Sequence, residues 1–109
     1  MATLNSTLTN ITTGTEVEIG QINSSQGKIS EVIVSNMTTN GSTDADNNIT
    51  YQLIVTSGNT NYPITPVTRL LKNETHIIPM STFISNGDKV KIKIPSGKKV
   101  DTVVSIIEL

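Results

Sequence analysis

The most constraining stretch of this chain is Lys89–Ile94, where lysine and an apolar residue alternate without a break. Side chains on a β-strand point to opposite faces in turn, so one face of this segment is apolar and the other carries three lysines. An α-helix would scatter both sets around its circumference. The segment therefore predicts a strand with one buried face and one hydrated face.

The rest of the 109-residue chain has the same character. Its apolar residues are mainly Ile and Val, its polar residues are mainly Thr, Asn and Ser, and only 3% of its residues are aromatic. β-branched residues pack well on pleated sheets, whereas Asn and Ser favour turns. Further strands are predicted at Glu16–Ile22, Gly27–Ser35, Ile49–Thr56, Tyr62–Leu71, Thr75–Met80 and Val100–Glu108.

Short strands at regular spacing, with turn signals between them, predict an all-β fold. We expect an antiparallel β-sandwich, Ig-like or jelly-roll-like, of about seven to eight strands, with a small β-barrel as the alternative. Residues 16–109 form a single sandwich domain in this interpretation. Residues 1–15, rich in Thr and Asn, are either an N-terminal arm or an edge strand.

Three local expectations accompany this fold. Gly27–Ser35 contains Ile29 and the apolar run Val32-Ile33-Val34, which predicts a central strand or one near a sheet corner. Pro63 and Pro66 place their segment at a sheet edge or in an irregular stretch, because proline cannot donate to the ladder. Ser81–Ser85 is expected to form a helical turn that lays Phe83 on the core.

The lysine stripe invites three interpretations. Lysines on an edge strand discourage sheet pairing between molecules, and plain solvation explains them equally well. They would also suit docking to an acidic protein surface. Nucleic acid is disfavoured because the chain has one Phe, two Tyr and no Trp for stacking on bases. The candidate protein-contact residues are Lys89, Lys91, Lys93, Lys98 and Lys99, together with Leu4, Leu8 and Ile11 near the N-terminus.

No residue pattern indicates an enzyme or a cofactor. His76 is the only histidine, and nothing near it resembles a nucleophile elbow, so a strand-surface histidine is the expectation. Asp44 and Asp46 offer oxygen ligands in a loop but lack the spacing of a calcium-binding EF-hand. We predict no catalytic residue, no metal ligand and no cofactor. The lack of cysteine excludes disulfides and thiolate metal sites.

No run of about 18 apolar residues is present, so no transmembrane helix and no membrane partner are expected. The first residues also lack the basic and apolar segments of a secretory signal. These features predict a protein that is made in a cytoplasm and is used or assembled there.

The order of elements from Tyr62 to Leu109 is distinctive. A proline-containing strand leads to Leu70-Leu71, and the segments Ile77-Ile78-Pro79, Phe83-Ile84, Asn86-Gly87-Asp88, Val90-Lys91-Ile92 and Ile106-Ile107-Glu108 follow. Upstream, Ile33–Asn36 and Tyr51–Val55 complete the series. Over about residues 27–109 the chain resembles small β-sandwich virion proteins of tailed bacteriophages, of the capsid decoration (cement), head-fibre or tail-accessory type.

This resemblance implies a non-enzymatic structural protein of a phage particle, assembled in the host cytoplasm and located in the virion. Its partner would be a capsid or other virion protein, with self-association into a homo-oligomer or lattice. The alternatives are a neck, tail or fibre accessory subunit, or a carbohydrate- or surface-binding module. The last needs exposed aromatic rings, and Tyr51 is predicted to point inward.

Overall fold

The structure, a computed structural model, describes residues 3–109. It contains nine β-strands and one short 3₁₀ helix, Ala45–Asn47. The strands are β1 Thr3–Ile11, β2 Glu16–Gln21, β3 Gln26–Asn36, β4 Ile49–Ser57, β5 Thr60–Pro63, β6 Thr68–Leu70, β7 Thr75–Ser85, β8 Lys89–Lys93 and β9 Val100–Glu108. Among these residues no helix is long and apolar enough to cross a membrane.

The strands form two antiparallel sheets. Sheet A has the order β1-β9-β3-β7, and sheet B has the order β2-β8-β4-β5, with β6 also paired to β4. β5 and β6 lie along successive parts of β4, because Pro63 pairs with Ile54 and Thr68 pairs with Tyr51. They are therefore one interrupted edge strand.

With β5 and β6 counted together, consecutive strands mostly alternate between the sheets, which is the topology of a jelly roll. The predicted all-β antiparallel sandwich is confirmed. The strands of residues 3–109 form two open sheets, so the barrel alternative does not apply.

The core lies between the two sheets and consists of the inward residues of each strand. Its members are almost all Ile, Val and Leu, as the alternating pattern predicts. β3 is central in sheet A, between β9 and β7, and its inner residues Ile29, Val32 and Val34 have no exposed surface. From sheet B, Leu53, Val90 and Ile92 are equally buried.

The prediction for residues 75–85 was wrong in its second half. Pro79 does not end the strand: β7 continues to Ser85, and the helical turn expected at Ser81–Ser85 is absent. Phe83 consequently points outward and is 63% exposed. β7 accommodates Pro79 with an irregular register opposite Ser30 of β3. An edge strand tolerates proline because one side of its backbone has no strand to pair with.

The turn Asn86-Gly87-Asp88 carries the chain from sheet A to sheet B. Gly87 has a φ of 86°, a conformation that glycine adopts without strain. The Asp88 carboxylate accepts a hydrogen bond of 2.8 Å from the Ser85 N–H, and the Asp88 N–H donates to the Ser85 carbonyl. The turn predicted before the lysine strand is thus an inter-sheet connection.

One end of the sandwich is organised by the buried side chain of Asn36, at the end of β3. Its amide donates to the carbonyls of Asn47, Leu70 and Leu71 at 2.8 to 3.2 Å. Its oxygen accepts a hydrogen bond from the Thr38 N–H. One amide thus joins β3, the 3₁₀ helix and the end of β6, because it supplies donors to backbone acceptors away from water.

We expect Asn36→Ala to lower the free energy of unfolding by about 2–4 kcal/mol, because buried backbone carbonyls would lose their donor. The measurement is urea denaturation followed by circular dichroism. Asn40→Ala is the matched control: Asn40 is exposed and makes one side-chain hydrogen bond, to Gly97. Equal losses in the two variants would contradict the role assigned to Asn36.

Candidate functional site

The lysine stripe lies on the outer face of sheet B, which we call the lysine face. β8 is flanked by β2 and β4, so the suggestion that these lysines protect an edge strand is wrong. Register pairs Lys93 with Glu16 and Lys91 with Glu18, and the Lys91 Nζ lies 3.6 Å from the Glu16 carboxylate. The charges of this face are therefore partly neutralised across strands. Such half-exposed pairs contribute about 0–1 kcal/mol each.

Lys98 and Lys99 belong to a different part of the surface. The Lys98 Nζ donates to the Asp46 carbonyl, next to the 3₁₀ helix. Lys99 is held through its backbone, which exchanges hydrogen bonds with the Thr38 hydroxyl. Lys98 and Lys99 are therefore not part of the lysine face.

The three N-terminal candidates separate into two groups. β1 is the edge strand of sheet A, paired with β9 along its whole length. Leu4 and Leu8 are each 64% exposed and point away from the core. Ile11 is a core residue with 2% exposure, so it offers no contact surface, and its proposed role is wrong.

The outer face of sheet A, which we call the apolar face, holds most of the large exposed apolar side chains of the strands. Register places Leu4 beside Ile107 and Leu8 beside Val103. The pairing of β9 with β3 and of β3 with β7 extends these two pairs into rows across the sheet. On β7, Phe83 lies opposite Lys28 of β3, and Ile77 lies opposite Ile33. The two rows are Leu4, Ile107, Lys28 and Phe83, and Leu8, Val103, Ile33 and Ile77. A polar row lies between them.

Sequence reasoning missed Ile77 and Phe83 as surface residues. Phenylalanine is usually buried, so Phe83 was expected on the core, and no exposed position was predicted for Ile77. The available signal was their spacing: Ile77 and Phe83 are six residues apart, an even number, and therefore share a face of any uninterrupted strand. Pro79 concealed that continuity.

His76 lies on the inner side of β7, at the sheet edge, and not on an open strand surface as predicted. It pairs with the buried Val34, and its side chain is 30% exposed. The Nδ1 atom is 2.8 Å from the Tyr51 hydroxyl, and the Nε2 atom is 3.1 Å from the Glu74 carboxylate. Both ring nitrogens are thus in contact with polar groups, and the Tyr51 contact joins β7 to β4.

Tyr51 is the buried member of this chain of three residues. Its ring has 2% exposure, as expected for a residue predicted to point inward, and it meets the His76 imidazole edge-on. Burial raises the pKa of the Tyr51 phenol above its ordinary value of 10.0, and the nearby Glu74 carboxylate raises it further. The phenol is consequently held in its neutral form.

The carboxylates of Asp44 and Asp46, in the loop between β3 and β4, both contact other groups of the protein. Asp44 pairs with Lys72 at 2.9 Å. The Asp46 carboxylate accepts hydrogen bonds from the Ser42 hydroxyl and the Thr43 N–H. Hydrogen bonds from Thr43 and then Ser42 lower the pKa of Asp46. Across residues 3–109 no cluster of three or more His, Cys, Asp or Glu side chains suited to a metal ion occurs.

Comparison with known proteins assigns this chain to no family. No protein-family model matches the chain, and no curated protein matches it. A similar solved structure is the nucleoplasmin-like N-terminal domain of Drosophila FKBP39. It aligns over 95% of this chain and 91% of that chain, with 11% identity and a TM-score of 0.45. A similarity this distant transfers no function to this chain.

The Tyr51 phenol offers a direct test of this network. In Tyr62→Phe, Tyr51 is the sole tyrosine, and we expect its absorbance titration to have a midpoint above 10.0. Glu74→Gln in the same background removes one of the two causes and should lower that midpoint. A midpoint at or below 10.0 would contradict the buried assignment.

The same shift predicts how stability depends on pH. Because the folded-state pKa of Tyr51 is raised, folding favours the neutral phenol, so this contribution is complete below pH 10.0 and is lost as pH rises above it. Melting temperatures measured from pH 8 to pH 11 should therefore fall less steeply above pH 10 in Tyr51→Phe than in the unmodified chain. Tyr62→Phe, which alters an exposed tyrosine, is the control and should follow the unmodified chain.

Proposed function

We propose that this protein is a non-enzymatic structural subunit of a bacteriophage particle, which binds the capsid surface as a decoration (cement) subunit. The observation that carries the proposal is the contrast between the two outer faces of the sandwich. The lysine face is charged and internally paired, whereas the apolar face presents exposed leucine, isoleucine and phenylalanine side chains.

This contrast supports binding through the apolar face. Isolated exposed apolar residues are ordinary on protein surfaces, but contiguous rows mark sites where another protein binds. The exposed members Leu4, Leu8, Ile77 and Phe83 lie at the two edges of sheet A, and half-buried Val103 and Ile107 connect them. Each row is apolar except for Lys28 on β3, and the polar row that contains Glu31 separates the two rows. Exposed apolar side chains flanked by polar residues are a combination found at protein interfaces.

The architecture supports the proposal by analogy, together with the resemblance to phage virion proteins. Jelly rolls recur in viral capsid proteins and also in lectins. A sugar-binding module is the weaker alternative, because the aromatic side chains do not gather. Tyr51 is buried, Tyr62 lies on β5 of sheet B, and Phe83 lies on β7 of sheet A.

The surroundings of His76 support a non-enzymatic role. A catalytic histidine must share a hydrogen bond with a nucleophile that a substrate can reach, while a carboxylate holds its other nitrogen. Here Glu74 is the carboxylate, but the group in the place of the nucleophile is the Tyr51 phenol, which is buried.

The proposal predicts that the chain copurifies with assembled particles and rebinds to particles stripped of it. Ile77→Ser combined with Phe83→Ser should weaken rebinding about a hundredfold or more, because each side chain would lose about 1.5–3 kcal/mol of apolar burial. Quantitative rebinding followed by sedimentation is the measurement, and thermal melting checks that the variant is folded.

Val67→Ser is the matched control, because Val67 is 65% exposed but lies in the connection between β5 and β6, away from the apolar face. It should rebind like the unmodified chain. A chain found free in the cell and absent from purified particles would refute the proposed function.

Replacing Lys89, Lys91 and Lys93 with Gln separates the two faces. If the apolar face is the contact, rebinding at physiological salt should change less than about threefold. A loss as large as that of the Ile77 and Phe83 variant would move the contact to the lysine face.

A further inference from the structure

The free edge of sheet A at β1 lacks the features that keep sheet edges from pairing. β1 runs for nine residues, pairs with β9 on one side in an unbroken register and, within residues 3–109, has no strand on its other side. It contains no charged residue and no proline. A long, regular, uncharged edge presents a row of backbone N–H and C=O groups to any strand of matching length.

The remaining sheet edges are all protected. β2 carries Glu16 and Glu18 and has a break in register after Glu18. β5 has four residues and ends in proline, and β6 has three. β7 contains Pro79 and a shifted register. Short length, charge, proline and bulges are the usual protections of edge strands, so β1 is the one edge of the described residues left open.

The sequence of β1 also identifies what would pair with it. Thr3-Leu4-Asn5-Ser6-Thr7-Leu8-Thr9 reads nearly the same in both directions about Ser6. An antiparallel pair of identical strands is related by a two-fold axis, so a palindromic strand places like residues opposite each other. With the axis at Ser6, Leu4 of each copy faces Leu8 of the other, and Thr3 faces Thr9.

We propose that a second copy of this chain pairs with the first along β1, in antiparallel register centred on Ser6. The pairing brings no like charges together, because β1 has none. It places two leucine pairs directly across from each other, and cross-strand pairs of this kind contribute about 0.2–1 kcal/mol each. Leu4 and Leu8, both 64% exposed in one copy, would be partly covered in two.

The pairing would also enlarge the apolar face. One sheet of four strands, each about 4.8 Å wide and about 30 Å long, has a footprint of about 600 Å². Two sheets joined through β1 form one sheet of eight strands with a footprint of about 1,200 Å². A stable protein interface needs about 800 Å² from each partner, which one copy does not supply and two copies do.

The test is the mass of the purified chain in solution, and it needs no phage particle, so it is independent of the proposed function. Light scattering or sedimentation equilibrium should give twice the chain mass of 11.7 kDa. Leu4→Lys with Leu8→Lys places lysine opposite lysine in the proposed register, and its mass should fall to that of one chain.

The double variant Leu4→Glu, Leu8→Lys tests the antiparallel register itself. In the proposed register Glu faces Lys at both positions, so its mass should stay at two chains and become dependent on salt. In a parallel pair the same variant would place like charges together. Ile77→Lys with Phe83→Lys adds the same charge at the opposite edge of sheet A, and its mass should remain at two chains.

Three results would overturn the inference. A one-chain mass for the unmodified protein at millimolar concentration would exclude self-pairing. The edge at β1 would then be left for a strand of a different protein. A two-chain mass for the Leu4→Lys, Leu8→Lys variant would place the interface elsewhere. A one-chain mass for the Leu4→Glu, Leu8→Lys variant would exclude the register centred on Ser6.

Discussion

The whole structure depends on the contact between the two apolar inner faces. The chain has no cysteine to cross-link the sheets, and its one helical segment is three residues long. What joins sheet A to sheet B is the burial of Ile, Val and Leu side chains that alternate along each strand. Because β-branched side chains are stiff, they pack between sheets with little loss of rotamer freedom. Tyr51 is the one aromatic residue in the core cluster of residues 3–109.

Polar contacts refine this arrangement at its borders. Asn36 satisfies backbone carbonyls where β3, β6 and the 3₁₀ helix meet, and Glu74, His76 and Tyr51 attach the edge strand β7 to β4. No side-chain polar atom buried within residues 3–109 lacks a hydrogen-bond partner. Both networks hold the inner faces in position, which leaves the outer faces free to differ in chemistry.

The fold was predictable because strand periodicity is a local property. Alternation in Lys89–Ile94 and Ile49–Thr56 correctly separated inner from outer side chains, and turn residues located most of the connections. Errors arose where one residue type is compatible with two different structures. Pro79 suggested the end of a strand, yet β7 runs through it because one side of an edge strand is unpaired and tolerates proline. The lysines suggested an edge, yet β8 is interior and its lysines face glutamates of β2.

The sequence by itself determined which residues of each strand share a face, since that depends only on the two-residue repeat of the backbone. It also indicated an all-β fold with an aliphatic core, and the structure decided between a sandwich and a small barrel. Only the tertiary structure decided which strands are neighbours, because pairing joins residues far apart in the chain. The order of strands in sheet A places Leu4, Ile107 and Phe83 in one row. It also buries Ile11 and leaves β1 as an open edge.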